Sequence, residues 1–287
     1  MLARLLRNVR PTILSRAVLW PVVAWLALFV VAPTAILFVY SFCQRDEFGR
    51  IVYSFTFDNY RAAFETKYLR DVVWRSLAYA GVTTIVCAVA GYPVAYYIGR
   101  SPARKRDWLM LLVMIPFWTN FVIRTYAMIA LLSNEGPLSA ALQSMRVISQ
   151  PLDVLYTPAA TVIGLVYTYL PFMILPIYTA VEKLDVSLIE ASLDLGAGPV
   201  RTFWRVTLPL TWSGVAGGIV LVFVPAIGMF AVSDLMGGGR TPMIGNVIQN
   251  QFAQANNRPF GAALGMILLV LFVLAYAVLG RRAVRDV

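Results

Sequence analysis

The sequence contains no histidine. That removes His-based catalytic triads and His metal ligands from consideration. Its two cysteines, Cys43 and Cys87, lie far apart in the chain, and such a pair makes neither a zinc site nor a disulfide framework. Charge is scarce as well. Only 13% of the 287 residues are Asp, Glu, Lys or Arg, where soluble domains carry about 25%. Acidic residues are the rarer sign, 14 against 24 basic, and none cluster with metal-site spacing. No G-x-x-x-x-G-K-[ST] phosphate loop is present, so the chain has no evident ATP site. No nucleophile sits in an activating constellation. These absences exclude most enzyme classes: no catalytic residue, metal site or cofactor is expected in this chain.

Apolar residues fill the space that charge leaves. They make up 60% of the chain, more than a soluble sphere of this size could hide. Five uncharged stretches stand out: Ala17–Gln44, Ser76–Gly99, Val154–Val181, Val206–Ser233 and Pro259–Gly280. Each has at least the roughly 20 residues a helix needs to cross a hydrocarbon core. A sixth, Trp108–Ser133, is interrupted only by Arg124. The expectation is an all-α membrane protein with one transmembrane domain over 1–287. Its six spans fall near 17–43, 75–99, 108–133, 157–181, 210–234 and 259–280. The first apolar run is far longer than a signal peptide's and has no small-residue cleavage site soon after it, so it reads as a span. Prolines such as Pro33, Pro93, Pro116, Pro171, Pro176 and Pro225 lie in or near spans. Kinks of that kind are tolerated where neighbours re-satisfy the backbone.

The net charge of +10 would suggest nucleic acid in a soluble protein. Here the basic residues border apolar runs, so they read as topology and no nucleic-acid partner is expected. One side of a six-span chain holds Arg4, Arg7, Arg10, Arg16, Arg100, Arg104, Lys105, Arg106, Lys183, Arg201, Arg205, Arg281, Arg282 and Arg285. Most basic residues of the other side sit in the first connection, beside five acidic residues. Both termini are therefore expected in the cytoplasm.

The fourth connection, 182–209, is the most informative segment. Ser187 precedes Glu190 by three residues, a capping-box spacing for a helix start. Leu184, Leu188, Ala191 and Leu195 then recur at helical spacing. Gly196 suits a left-handed C′ position, and Pro199 the first turn of a second short helix. Two short helices outside the membrane would form a knob with apolar and charged faces.

The string EASLDLGAGPVRTFWRVTLP, Glu190 to Pro209, resembles the EAA motif of ABC importer permeases. The family pattern is E-A-A, three residues, G, nine residues, I, one residue, L-P. This chain departs from it at Ser192 and Val206. FTFDNYRAAFETKYLRDVVWRSL, PFWTNFVIRTYA, YTYLPFMILPIYTAVEKLD, PAIGMFAVSDLMGG and MIGNVIQNQF extend the likeness over most of the chain. Together they resemble the first of the two permease subunits of spermidine/putrescine importers. Related permeases for opines, amino-acid derivatives or iron share parts of these strings. The resemblance implies a bacterial inner-membrane location and coupling to an ATPase through Glu190, Ala191, Ser192 and Gly196. It also implies a homologous second permease subunit, a cytoplasmic ATPase dimer that binds ATP and Mg, and an extracytoplasmic substrate-binding protein. An ion-coupled secondary transporter would explain the spans but not the motif.

A polyamine is an apolar chain with two or more ammonium groups. Its path should offer carboxylates for charge and aromatic faces for cation–π contact. Asp234 closes the fifth span, one turn after Phe230, so both share a face. Tyr167, Tyr169 and Phe172 are further pathway candidates, with Pro171 breaking their helix. Glu135 and Asp153 flank the third connection and are weaker candidates. Arg124 lies 16 residues beyond Trp108, some 24 Å up a helix rising about 1.5 Å per residue. It could snorkel to the outer interface, pair with an acid, or repel cations.

Overall fold

The computed structural model describes residues 13–285, with side chains from 20 to 277. Arg4, Arg7 and Arg10 of the expected cytoplasmic cluster lie outside the described residues. So do the side chains of Arg16, Arg281, Arg282 and Arg285. Among the described residues four helices are long and apolar enough to cross a membrane: Trp20–Ser41, Lys67–Gly99, Pro158–Glu182 and Arg258–Ala277. The count reaches six if each of two sharply bent helix pairs is one span.

One unit comprises the described residues up to Glu65 together with Gln251–Ile267. Its first helical run is α1 (Ile13–Leu26), a π-helical turn (Ala27–Val31) and α2 (Ala32–Ser41). Pro33 cannot donate to the Phe29 carbonyl, and the wider π turn sits where that bond is lost. No residue from Trp20 to Tyr40 is buried, the signature of a helix whose apolar surface is covered by something other than its own chain. Beyond it, a hairpin pairs β1 (Gln44–Arg45) with β2 (Ile51–Val52). Asp46 Oδ1 closes its turn by accepting from the Phe48 and Arg50 amides at 3.0 and 2.6 Å. Helix α3 (Asp58–Glu65) returns Asn59, whose Nδ2 donates to the Ser41 and Cys43 carbonyls at 3.0 and 2.8 Å.

The other unit runs from Thr66 to Asn250 and resumes at Leu268. Three helices make its core: α4 (Lys67–Gly99), and, after α5 (Ala103–Trp118), α6 (Phe121–Leu132) and α7 (Pro137–Ser144), the helix α8 (Pro158–Glu182). The third comes after the fourth connection, which is described below. That connection holds α9 (Val186–Asp194), α10 (Pro199–Thr202), a π turn (Phe203–Thr207) and α11 (Leu208–Leu210). The third core helix is α12 (Trp212–Gly228). Helices α4, α8 and α12 pack on one another. Leu165, Tyr169, Met173, Ile177 and Val181 recur every four residues on α8 and are all buried. Close approach depends on small residues. A Cβ on Gly214 would meet the Pro176 carbonyl oxygen at 2.5 Å, and one on Gly218 the Met173 Sδ at 2.5 Å. Helices α13 (Ala231–Gly237) and α14 (Ile244–Ala253) follow. Helix α15 (Arg258–Arg285) ends the described chain.

Two apolar runs that read as single spans are broken. The arm Ala103–Trp118 meets the arm Phe121–Ser144 at 97°. Asn120 starts the second arm, its side chain accepting from the Val122 amide at 2.8 Å. The run 210–234 is broken at Met229, extended at φ −69° and ψ 114°, which ends α12 before Asp234 is reached; the second bent pair, Pro199–Leu210 with Trp212–Gly228, meets at 66°. Pro171 and Pro176, in contrast, do not break α8, which is continuous through both. The sequence predicts a break at Pro171; packing of α8 against α4 and α12 holds it helical instead.

Candidate functional site

The knob between α8 and α12 begins at Asp185. Its Oδ1 accepts from the Ser187 amide at 3.0 Å. Ser187 is therefore not the cap that its spacing to Glu190 implied. Asp185 offers a charged acceptor two residues earlier, and the helix starts there. Backbone and side-chain bonds from Ser187 hold the Asp185 carboxyl below its ordinary 3.8. The helix ends as a Schellman motif on Gly196, at φ +80°. The Ala197 amide donates to the Ser192 carbonyl at 3.1 Å and the Gly196 amide to the Leu193 carbonyl at 2.9 Å. Ser192 Oγ lies 3.0 Å from Thr202 Oγ1, which joins α9 to α10.

Of the apolar stripe on this segment, Leu184 is buried while Leu188, Ala191 and Leu195 are exposed, Leu195 to 88%. Leu188, Ala191, Leu195 and Ala197 line a concavity of about 610 Å³, rimmed by Arg201 and Arg205. Glu190 is exposed beside it. The base of the knob is tied down. Arg106 Nη1 meets Glu182 Oε1 at 2.6 Å, and Arg100 Nη1 donates to the Leu184 carbonyl at 3.3 Å. Tyr92 packs edge-on against Phe203 at 5.3 Å, and its hydroxyl lies 2.8 Å from Thr211 Oγ1. The knob thus presents an exposed apolar surface on a base held by an ion pair and hydrogen bonds.

Asp234 sits on α13, separated from α12 by the break. The one-turn relation to Phe230 persists, since the Asp234 amide donates to the Phe230 carbonyl at 2.9 Å. Both side chains are exposed. Asn246, which sequence reasoning did not single out, joins them. Its Nδ2 donates to Asp234 Oδ1 at 2.6 Å and to the Phe230 carbonyl at 3.0 Å, while its Oδ1 accepts from the Met243 amide at 2.8 Å. Asn246 lies within MIGNVIQNQF, 12 residues beyond Asp234, and nothing local in the sequence announces the pairing. Gly238 and Gly239 take positive φ, and a Cβ on Gly238 would strike the Tyr156 ring at 2.4 Å.

The aromatic candidates form a second group. Tyr169 and Phe172 stand 6.1 Å apart and line an apolar concavity of about 570 Å³ with Val220, Val224 and Phe272. Phe172 meets Phe117 edge-on at 5.0 Å. Tyr167 points elsewhere, under the Arg124 guanidinium. Among the described residues no carboxylate pairs with Arg124. Its Nη1 instead donates to the Pro116 carbonyl at 3.0 Å. Glu135 and Asp153 are exposed on the connection between α6 and α8.

Knob, acidic end and aromatic group all fall within residues 91–285. Those residues match the family model for the binding-protein-dependent transport system inner membrane component. The chain belongs to this family. It is 44% identical over 251 residues to the spermidine/putrescine transport system permease protein PotB of Haemophilus influenzae, covering 88% of this chain and 87% of that one. Against PotB of Escherichia coli the identity is 42% over 260 residues, covering 91% and 94%. A solved bacterial ABC transporter, described as involved in the import of the acidic polysaccharide alginate, superposes with a TM-score of 0.78. That match has 17% identity and covers 98% of this chain and 99% of that one. The fold is thus that of an ABC importer permease.

This permease is a multi-pass transport component of the inner membrane and not an enzyme. The segment Glu190–Pro209, which carries the motif resemblance, lies inside the residues that match the family model. The structure gives that segment an exposed apolar face on a firmly held base.

Proposed function

We propose that this permease forms half of an ATP-driven import path for spermidine and putrescine. The observation that carries the cargo is its 42–44% identity, over about nine-tenths of its length, to permeases named for those polyamines. The chain crosses the membrane six times with both termini cytoplasmic, each bent pair counting as one span. A homologous second permease closes the path. The segment 182–209 docks on a cytoplasmic ATPase dimer that binds ATP and Mg, with Glu190, Ala191, Ser192 and Gly196 shaping the contact. A substrate-binding protein delivers cargo on the opposite side.

Closure of the ATPase pair moves the knob. Its ties through Arg106–Glu182 and Tyr92–Thr211 carry that motion into α4, α5, α8 and α12. Asp234 supplies a carboxylate at the outer mouth, positioned by Asn246, and Phe230 supplies an aromatic face. An ammonium gains from both. Tyr169 and Phe172 offer apolar surface to methylenes.

Arg124 favours a second reading, in which the cargo is an organic acid or another small solute, because a guanidinium among aromatic rings suits an anion. Uptake of labelled spermidine by the complete importer separates the two when Asp234 is replaced by Asn. A severe loss supports the polyamine path through Asp234; unchanged uptake removes Asp234 from it. A cysteine at Ala191 should cross-link to the ATPase subunit, and an intact complex without that cross-link would sink the docking assignment.

A further inference from the structure

The break in the third apolar run places a cation on aromatic faces. The 97° bend lies between Trp118 and Phe121. Arg124, on the far arm, reaches back across it. Its Nη1 donates to the Pro116 carbonyl at 3.0 Å, an oxygen that also accepts from Thr119 Oγ1 at 2.8 Å. This carbonyl is at the C-terminal end of α5, where a positive charge is favoured. The guanidinium carbon sits 5.8 Å from the Phe117 ring centre and 5.6 Å from that of Tyr167. Its Nε is buried with no hydrogen-bond partner. No carboxylate pairs with it among the described residues. One carbonyl and two ring faces are what hold this charge.

We infer that Phe117 and Tyr167 form a cation site for a substrate ammonium, and that Arg124 occupies it in the resting state as a tethered substitute. This rests on the polyamine reading for the identity of the incoming cation. The hinge role does not. A primary ammonium and a guanidinium are drawn to the same ring faces by the same quadrupole. Two positive charges cannot share them without strong repulsion. An entering ammonium therefore displaces Arg124, and the bond from Arg124 to Pro116 goes with it. The arms α5 and α6 then change their angle at Thr119–Asn120. Phe117 touches Phe172 at 5.0 Å, so the change reaches α8. A fixed charge that looks hostile to a cationic cargo thereby becomes the group that senses it. Arg124 is a positioning residue, because it acts through the rings and the hinge.

The experiment uses the complete importer with its binding protein, in nanodiscs, with spin labels at exposed positions Leu112 on α5 and Ile123 on α6. Wild type should show one hinge distance without cargo and a second when spermidine-loaded binding protein and ATP are added. Arg124→Gln should populate the second distance without any cargo. Its half-saturating spermidine concentration should fall by about tenfold, because the competing internal cation is gone. Arg124→Lys keeps an ammonium for the rings and should restore the resting distance. A merely structural arginine would not be rescued in that way. An Arg124→Gln hinge distance equal to that of resting wild type overturns the inference. If Arg124→Gln fails to assemble, Phe117→Leu with Tyr167→Leu removes the ring faces and should release the hinge with Arg124 retained; a resting distance there overturns it equally. Absence of spermidine uptake in wild type refutes the cargo reading and the ammonium site, while the cargo-free hinge distance still decides the hinge role of Arg124.

Discussion

At Gly196 the backbone has φ +80°, and a Cβ added there meets nothing within 4 Å. Gly196→Ala therefore changes one backbone energy without creating a clash. A left-handed L-residue costs about 1–2 kcal/mol relative to glycine. That is roughly a 5- to 30-fold shift between the capped and uncapped forms of α9. The bonds at stake are Ala197 to Ser192 and Gly196 to Leu193, at 3.1 and 2.9 Å. Losing them frees the last turn of α9 and tilts Leu195 away from Ala191, while the α4–α8–α12 core is untouched. Amide hydrogen exchange should speed up by about that factor at 193–197 and stay unchanged in α8. ATP-driven uptake should fall while the chain still inserts and assembles. Gly196→Asn should cost less, because asparagine tolerates this conformation better. Exchange in Gly196→Ala equal to wild type would refute the strain argument.

Three other outcomes follow from the same contacts. Gly214→Ala drives a Cβ to 2.5 Å from the Pro176 carbonyl and 2.6 Å from Ala180 Cβ, so α8 and α12 must separate; overpacking of about 1–3 kcal/mol should lower the thermal midpoint of the purified chain, and an unchanged midpoint would contradict the packing. Arg106 and Glu182 are partly exposed, 28% and 34% by side chain, so a double-mutant cycle on their pair should give a coupling of about 0.5–1 kcal/mol in stability; additive single mutants would show that the ion pair does not hold the knob. The Asp185 carboxyl titrates below its ordinary 3.8, so its cap strengthens α9 above that value and is lost as pH falls through the lower folded value; exchange at the Ser187 and Leu188 amides should accelerate there, and Asp185→Asn should remove that acid-dependent acceleration.

Much of the helical order was legible because bilayer helices need long uncharged runs, and those runs were plain. Gly196 was legible too, since only its left-handed geometry explains a glycine after that stripe. The cap was misread by two residues because Asp185 and Ser187 are both good acceptors and spacing alone cannot choose between them. The breaks at Thr119–Asn120 and Met229 were hidden inside apolar strings, where one asparagine cap or one extended residue decides the angle. Tyr167 and Tyr169 looked like one aromatic group. Two residues apart on a helix, they diverge by about 200°, and one meets Arg124 while the other enters the core. Asn246 was invisible as the partner of Asp234, because the link depends on α14 folding back to α13.

The cargo and its drive are tested together by reconstitution. The tagged permease is purified from its native membrane with whatever copurifies, placed in liposomes with binding protein, and given labelled spermidine with or without ATP. The account predicts a copurifying ATPase, stimulated by loaded binding protein, and uptake that requires ATP. Uptake that follows an ion gradient without ATP, from a chain that purifies alone, would contradict it.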